Sequence, residues 1–197
     1  MENLCIASTN KGKIRELKSI LNNSFKLCSL DDFNALPEPE EPFESFLENA
    51  RAKAIHYAKL THMLTLSEDA GLCIHSLNNF PGIHSKRFIV KSGSLQNAFD
   101  QLEKMLPIKE NRRAEFVCVS VIYNPQNEQS FAGKGTMRGE IQFPPKGSHG
   151  FGFDPIFKPE GYNQTIAELG ESVKAAIGHR GKSIGALLEN YHSKLSP

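Results

Sequence analysis

The sequence predicts an α/β protein in which strands and helices are mixed along the whole chain. It opens with a short apolar strand at 4–8, a helix at 10–21 and a second strand around 25–30, a β-α-β arrangement. No repeat, linker or low-complexity segment interrupts this pattern. The 197 residues are enough for one large domain or two closely joined lobes with a real core. We therefore expect a single domain over residues 1–197.

Composition excludes several classes of protein. Lys+Arg 23 against Asp+Glu 22 is close to neutral, so no general attraction to nucleic acid is expected. The sequence has neither a long apolar run nor a charged, apolar leader, and we expect no membrane span and no signal peptide. Its cysteines are widely spaced without a C-x-x-C pair, which argues against zinc and disulfides and favours the cytoplasm.

The elements after the opening follow from local signals. Proline and glutamate alternate at 37–42, which predicts a stiff acidic loop, and Ser45 with Glu48 forms a capping-box pattern before a helix at 46–60. An apolar run then predicts a buried strand that ends at Asp69. The later expectations, in order, are turns at 78–82, a helix at 95–106 closed by Pro107, a β-meander at 114–123 and 130–143, a Gly/Pro loop at 144–152, a capping box at Thr165 and Glu168, and a helix at 182–192.

Two carboxylates, Glu68 and Asp69, lie at the predicted end of the buried strand. Burial of a carboxylate without a partner costs several kcal/mol or more. A metal ion, a proton-transfer role or a salt bridge would account for them. In isolation the segment would instead be a solvated turn.

The junction between the first strand and the first helix is rich in groups that bind phosphate. These residues are Ser8, Thr9, Asn10, Lys11, Gly12 and Lys13. Helix-start amides, the helix dipole, hydroxyls and lysines together can hold a phosphate. The segment is neither a Walker A loop nor a G-x-G-x-x-G fingerprint. An ordinary helix N-cap with solvated lysines is the alternative.

Three polar residues, Asn49, Lys53 and His56, fall on one face of the predicted helix at 46–60. A solvated polar face explains them, and we prefer that interpretation for His56. Lys53 would differ if its helix borders the phosphate-binding residues.

A glycine-aromatic alternation precedes an aspartate at Phe151, Gly152, Phe153 and Asp154. An aromatic face can stack on a base while glycines let backbone approach it. Phenylalanines in the core would explain either ring alone. Further along, Lys174, His179 and Arg180 supply donors suited to a purine keto oxygen or N7, or simply a basic helix terminus.

Taken in order, these segments resemble the inosine/xanthosine triphosphate pyrophosphatase family. The likeness covers nearly the whole chain. Its motifs are A-S-T-N-K-G-K from Ala7, E-E at 40–41, S-F-L-E-N-A-x-x-K-A from Ser45, D-A-G-L from Asp69, P-G-x-x-S-x-R-F from Pro81, G-F-G-F-D-P-x-F from Gly150, T-x-A-E-L from Thr165, Lys174 and H-R-G from His179.

The resemblance implies a two-lobed α/β fold around a long mixed β-sheet with flanking helices and a substrate cleft between the lobes. It also implies Mg²⁺, a homodimer, and hydrolysis of ITP, dITP or XTP to the monophosphate and pyrophosphate, which cleanses the nucleotide pool.

Position by position, the resemblance implies roles for most of these residues. Ser8, Asn10 and Lys13 hold phosphates with Lys53 beside them, and Thr9, Lys11, Gly12 and Ala70 contact substrate. Asp69 and Glu41 face the metal, although Glu40 remains an alternative to Glu41, and Asp69 is also the general base. The base pocket is lined by the segment 151–154 and closed by Lys174, His179 and Arg180.

Three departures from the family pattern leave rival functions open. Glu68 and Ala70 replace Asp and Ser of D-D-S-G, Gly178 replaces Ser before His-Arg, and Lys86 replaces Ala of S-A-R. A missing hydroxyl forfeits about 1 kcal/mol per neutral hydrogen bond, which tunes an enzyme without abolishing it. The rivals are a non-catalytic nucleotide-binding relative and a pyrophosphatase of different base preference.

Overall fold

The computed structural model describes residues 1–21, 23–106 and 111–193, and the predicted α/β class is confirmed in this part of the chain. The strands are β1 (Asn3–Ile6), β2 (Lys26–Ser29), β3 (Thr65–Ile74), β4 (Phe80–Pro81), β5 (Arg113–Asn124), β6 (Gln129–Ile141) and β7 (Phe157–Pro159). The helices are α1 (Lys11–Leu21), α2 (Phe46–Thr61), α3 (Ser85–Lys91), α4 (Leu95–Met105), α5 (Ile166–Leu169), α6 (Glu171–Ile177) and α7 (His179–Ser193).

The described strands form one mixed sheet in the order β2-β1-β3-β5-β6-β7, with β4 paired to β3. Its first three strands are parallel, and Cys5 of β1 lies opposite Cys28 of β2 and Thr65 of β3. The other end is antiparallel, with Gly139 of β6 opposite Pro159 of β7. The mixed sheet with flanking helices is therefore as predicted.

The chain divides into two compact units. Unit 1 comprises Met1–Asp69, Cys118–Gly135 and the segment from Arg180 onward, and unit 2 comprises Ala70–Val117 and Thr136–His179. Each unit has its own buried hydrophobic cluster. In unit 1 the members include Leu17, Ile122, Ile184 and Leu187, and in unit 2 they include Leu102, Phe116, Phe157 and Ile166.

Local signals place the two predicted N-caps correctly. The Ser45 hydroxyl accepts a hydrogen bond from the Glu48 backbone N–H at 3.2 Å, which starts α2. At α5, Thr165 and Glu168 form the reciprocal capping box. Small side chains at every fourth position of α2, such as Ala50 and Ala54, then pack closely against β5.

The prediction that the third strand ends at Asp69 is wrong, because β3 continues to Ile74. Residues 72–74 are buried, and Cys73 pairs with Pro81 of β4. Gly71 permits this close pairing, since a Cβ there would lie 2.0 Å from the Gly82 carbonyl oxygen. Asp69 therefore lies in the middle of a buried strand rather than at its tip.

Helices differ from the predictions chiefly toward the carboxyl end. The last helix begins at His179 rather than near 182, and α3 and α6 were not predicted. Pro107, the predicted end of the helix at 95–106, lies outside the described residues. Within the described ranges, no helix has both the length and the apolar character required to cross a bilayer.

Candidate active site

A lysine bridges two carboxylates in unit 1. Lys53 on α2 places its Nζ 2.6 Å from Glu41 Oε1 and 3.7 Å from Asp69 Oδ1. Since Asp69 lies on β3 and Glu41 in the loop before α2, one ammonium joins two separate segments. Of the two loop acids that the sequence left open, Glu41 is the one whose carboxylate contacts Lys53.

Asp69 has the environment of a proton acceptor. Its side chain is largely buried, and this burial raises the pKa of its carboxyl above the ordinary value, with the Glu41 charge acting in the same direction. Lys53 and Lys13 oppose the rise by favouring the charged form. A carboxylate with a raised pKa holds a proton better, which is what general-base catalysis requires.

Asn49 corrects the prediction of a solvated face on α2, because its side chain is completely buried. Its Nδ2 donates to Asp69 Oδ2 at 3.4 Å and to the Phe43 carbonyl oxygen at 3.1 Å. His56, which is half-buried, contacts the Pro37 carbonyl oxygen at 2.8 Å. The i, i+4 spacing of Asn49 and Lys53 was a signal that both side chains point the same way.

Glu68, beside Asp69, is the centre of a buried ion network. Arg180 of α7 donates to both of its oxygens at 2.7 Å, and Lys13 Nζ of α1 lies 3.2 Å from Oε1. Arg180 also pairs with Glu16. Burial alone would raise the pKa of Glu68, but the Arg180 and Lys13 charges outweigh burial and hold it well below its ordinary range.

The predicted phosphate segment is the cap of α1. Asn10 Oδ1 accepts hydrogen bonds from the Gly12 and Lys13 backbone N–H groups at 2.9 and 3.2 Å, and Ser8 Oγ accepts from the Asn10 N–H. Thr9, Asn10 and Lys11 are exposed, and Ser8, Gly12 and Lys13 are half-buried. Asn10 therefore caps α1, and Lys13 belongs with the Glu68 network, while phosphate binding by this segment stays a prediction.

A second polar cluster lies in unit 2, where Asp154 is almost completely buried. Its Oδ2 accepts from Lys174 Nζ at 2.7 Å and from the Phe151 backbone N–H at 2.8 Å. The Lys174 ammonium lies 4.2 Å from the centre of the half-buried Phe151 ring, a cation–π contact. Gly150 makes room, because a Cβ there would lie 2.1 Å from Asp154 Oδ2.

The other residues of unit 2 that were predicted to contact substrate differ in their burial. Phe153 is 3% exposed and packs against Phe88 and Phe99, so its ring is part of the core. His179 is buried with its ring stacked on Phe116 at a centroid distance of 4.9 Å. Gly152 and Ala70 are half-buried, and Gly152 has a φ of 62° that favours glycine.

The donor set of unit 1 fits Mg²⁺. No group of three or more His, Cys, Asp or Glu side chains among the described residues could hold a metal by itself. Mg²⁺ does not need one, because it keeps several waters and takes one or two carboxylates together with substrate phosphates. Glu41 and Asp69 already converge on one cation, the Lys53 ammonium. These two carboxylates suit a magnesium ion.

Comparison with known proteins places these features in a family. A model of the Ham1 family matches residues 4–190. The chain is similar to a dITP/XTP pyrophosphatase of Bdellovibrio bacteriovorus, with 40% identity over 191 residues that cover 94% of this chain and 96% of that protein. A dITP/XTP pyrophosphatase of Thermus thermophilus is also 40% identical, over 94% of this chain and 90% of its own length.

Solved structures agree with the sequence comparison. The Ham1 protein of Staphylococcus aureus superposes with a TM-score of 0.86 at 32% identity, covering 98% of this chain and all of that one. A HAM1 protein of Coxiella burnetii gives a TM-score of 0.85 at 34% identity over 100% and 99% of the two chains. The chain therefore belongs to the Ham1 family.

Proposed function

We propose that this protein is a magnesium-dependent nucleoside-triphosphate pyrophosphatase that converts dITP, ITP and XTP to the monophosphate and pyrophosphate. The observation that carries the proposal is the buried Asp69 carboxylate joined to Glu41 through Lys53. Relatives named dITP/XTP pyrophosphatase over almost the whole chain support the reaction and the base class. We also propose that residues 1–197 act as one domain, as a homodimer in the cytoplasm, and remove non-canonical purines from the nucleotide pool.

The chemistry assigned to unit 1 is attack of water on the α-phosphorus. Asp69 accepts a proton from the water, whose oxygen forms the new bond to phosphorus as the bond to the bridging α-β oxygen breaks. Pyrophosphate leaves with that oxygen and the electron pair. Lys13 and Lys53 offset the charge of the triphosphate, and the Ser8–Lys13 segment donates hydrogen bonds to its oxygens. Mg²⁺, held by Glu41 and Asp69, would supply further charge neutralisation at the phosphates.

Unit 2 supplies groups suited to the purine. The Phe151 ring offers an aromatic face, and Lys174 and His179 offer donors for a keto oxygen. The structure gives Arg180 a different set of partners, Glu68 and Glu16. We therefore assign Arg180 to positioning Glu68 and Lys13, and assign recognition of the keto group to the unit 2 side chains.

The decisive experiment measures pyrophosphate release with MgCl₂ from a panel of dITP, ITP, XTP, GTP, ATP and dTTP. We expect fast release from the first three and slow release from ATP and dTTP. Preferential hydrolysis of ATP or dTTP would indicate a pyrophosphatase of different base preference. Binding of ITP with no release from any nucleotide would indicate a non-catalytic relative and overturn the proposal.

Replacing Lys13 by alanine should weaken ITP binding about tenfold or more, because a charged contact to phosphate contributes roughly 1.5–3 kcal/mol. Inosine lacks phosphate, so its affinity should not change. Calorimetric titration without added metal, so that ITP is not hydrolysed, measures the affinity for ITP and for inosine. Lys18→Ala is the control, since Lys18 is exposed on the same helix. Equal loss of affinity for ITP and inosine would contradict the phosphate role.

Replacing His179 by alanine should lower the ratio of kcat/KM for ITP to kcat/KM for ATP about tenfold. The reason is that the variant loses one hydrogen bond to the keto oxygen of ITP, which has an effect of about this size. Adenine presents an amino donor there and gains nothing from His179. The matched control is His192→Ala, because His192 is an exposed histidine on the same helix. An unchanged ITP/ATP ratio in a folded His179→Ala protein would exclude the histidine from base selection.

A further inference from the structure

The Asn49 amide group holds two segments of unit 1 at once. It lies in the first turns of α2, and its two Nδ2 hydrogens have two acceptors, the Phe43 carbonyl oxygen at 3.1 Å and Asp69 Oδ2 at 3.4 Å. Phe43 lies two residues after Glu41 in the same loop. Because an amide nitrogen carries two hydrogens, both donors of Asn49 are engaged. The side chain thus connects the Glu41 loop to the Asp69 carboxylate.

The amide oxygen of Asn49, in contrast to the nitrogen, is not engaged in these contacts. Asn49 Oδ1 is buried and has no hydrogen-bond partner among the described residues. Leaving a buried acceptor unsatisfied costs roughly 1–3 kcal/mol, so each instance in a native protein needs an explanation. Oδ1 is bonded to the same carbon as Nδ2 and therefore cannot be far from Asp69. An acceptor kept beside the proposed general base is suited to water.

Lys53, one helical turn after Asn49, also connects the Glu41 loop to Asp69. Its ammonium contacts Glu41 and Asp69, so two residues of α2 at i and i+4 span the same loop and the same strand. Lys53 uses Asp69 Oδ1, and Asn49 uses Asp69 Oδ2. Both oxygens of the carboxylate are thereby contacted by side chains of one helix.

We propose that Asn49 is a positioning residue for the reaction. Through Nδ2 it fixes the Asp69 carboxylate and the Glu41 loop relative to α2, and its Oδ1 accepts a hydrogen bond from water held beside Asp69. This inference rests on the proposed function, in which Asp69 is the general base. Residues that orient a catalytic or metal-binding side chain typically contribute 10- to 100-fold to activity, and we expect a similar contribution here.

The test compares Asn49→Ala with Ser67→Ala. Ser67 Oγ donates to the Ala50 carbonyl oxygen at 2.6 Å, so it is a buried hydrogen bond between the same helix and the same strand that does not touch Asp69. Both variants should lose similar thermal stability. Only Asn49→Ala should lower kcat for ITP, about 10- to 100-fold, with little change in KM. Asn49→Asp, which keeps Oδ1 but replaces the donor NH2 by a second acceptor oxygen, should not restore kcat.

A double-mutant cycle separates positioning from a structural role. If Asn49 acts through Asp69, adding Asn49→Ala to Asp69→Asn should lower kcat no further. A multiplicative loss in the double variant, or a kcat equal to that of Ser67→Ala, would overturn the inference.

A substrate-free measurement keeps the inference distinct from the proposed function. In ¹⁵N-labelled protein without nucleotide or metal, the Asn49 side-chain amide resonances should shift in Asp69→Asn but not in Ser67→Ala. Unshifted resonances in Asp69→Asn would overturn the inference, even in an active enzyme. If the native protein released no pyrophosphate from any nucleotide, the proposed function would fail and the positioning role would fail with it. The resonances would then report only the contact between Asn49 and Asp69.

Discussion

Replacing Asp69 by asparagine should lower kcat for ITP about 100-fold or more, in the range expected for loss of a general base. Asparagine has nearly the same shape, but its amide does not accept a proton at neutral pH. Lys53 can still contact the remaining oxygen, but the new amide NH2 faces the Asn49 NH2 and that hydrogen bond is lost. Because one such bond contributes only about 1 kcal/mol, the fold and ITP affinity should be largely retained. Steady-state kinetics, with calorimetric ITP binding and a thermal melt, measure all three quantities.

Glu41→Gln is the matched control for that prediction. It makes the same carboxylate-to-amide change on the other partner of Lys53, whose contact is 2.6 Å. If Glu41 serves only the metal, raising the MgCl₂ concentration should recover much of its kcat. The Asp69→Asn protein should stay slow at every MgCl₂ concentration. Near-normal turnover in folded Asp69→Asn would remove Asp69 from the proposed mechanism.

The sequence was sufficient where local chemistry decides the structure. Capping patterns at Ser45 and Thr165 place the starts of α2 and α5 correctly, because an N-cap depends on residues within one turn. The apolar run before Glu68 likewise predicts a buried strand. Its end was predicted incorrectly because a buried strand that carries acids has the same local pattern as a strand followed by a turn. In the structure, the continuation of the strand past Asp69 is seen in its pairing with β4.

Long-range partners could not be predicted from local patterns. Arg180 and Glu68 are 112 residues apart in sequence, and no local sequence signal relates the Glu68 carboxylate of β3 to the Arg180 guanidinium of α7. Asn49 is a polar residue in the first turn of a helix and follows the exposed Glu48, so helical spacing alone could not reveal that it is completely buried. In both cases the tertiary fold determines which polar side chain is buried.

The Glu68–Arg180 pair gives the largest expected effect on stability. In Glu68→Gln, the neutral amide leaves the Arg180 guanidinium, which is 3% exposed, without a buried countercharge. Removing one partner of a buried ion pair costs about 3–5 kcal/mol, mostly through the charge that is left behind. We expect the free energy of unfolding to fall by that amount in urea denaturation at pH 7.

Glu16→Gln supplies the control on the same guanidinium. Glu16 also pairs with Arg180, but its side chain is 26% exposed, so water can replace part of what the carboxylate provides. Such partly exposed pairs contribute at most about 1 kcal/mol. If the two variants lost equal stability, burial of the Glu68 pair would not be what stabilises unit 1.

The pH dependence provides an independent check on the sign of the Glu68 effect. In the folded protein Arg180 and Lys13 hold the pKa of Glu68 below the ordinary value of 4.5. The ionised carboxylate therefore stabilises the fold fully above about pH 5, and this contribution disappears as the pH falls through the folded pKa. Glutamine does not titrate, so the difference in unfolding free energy between native and Glu68→Gln proteins should be constant from about pH 5 to 7 and shrink below pH 4.5. A difference that instead widened on acidification would mean that Glu68 is protonated in the fold, and the ion network around Lys13 and Arg180 would have to be assigned differently.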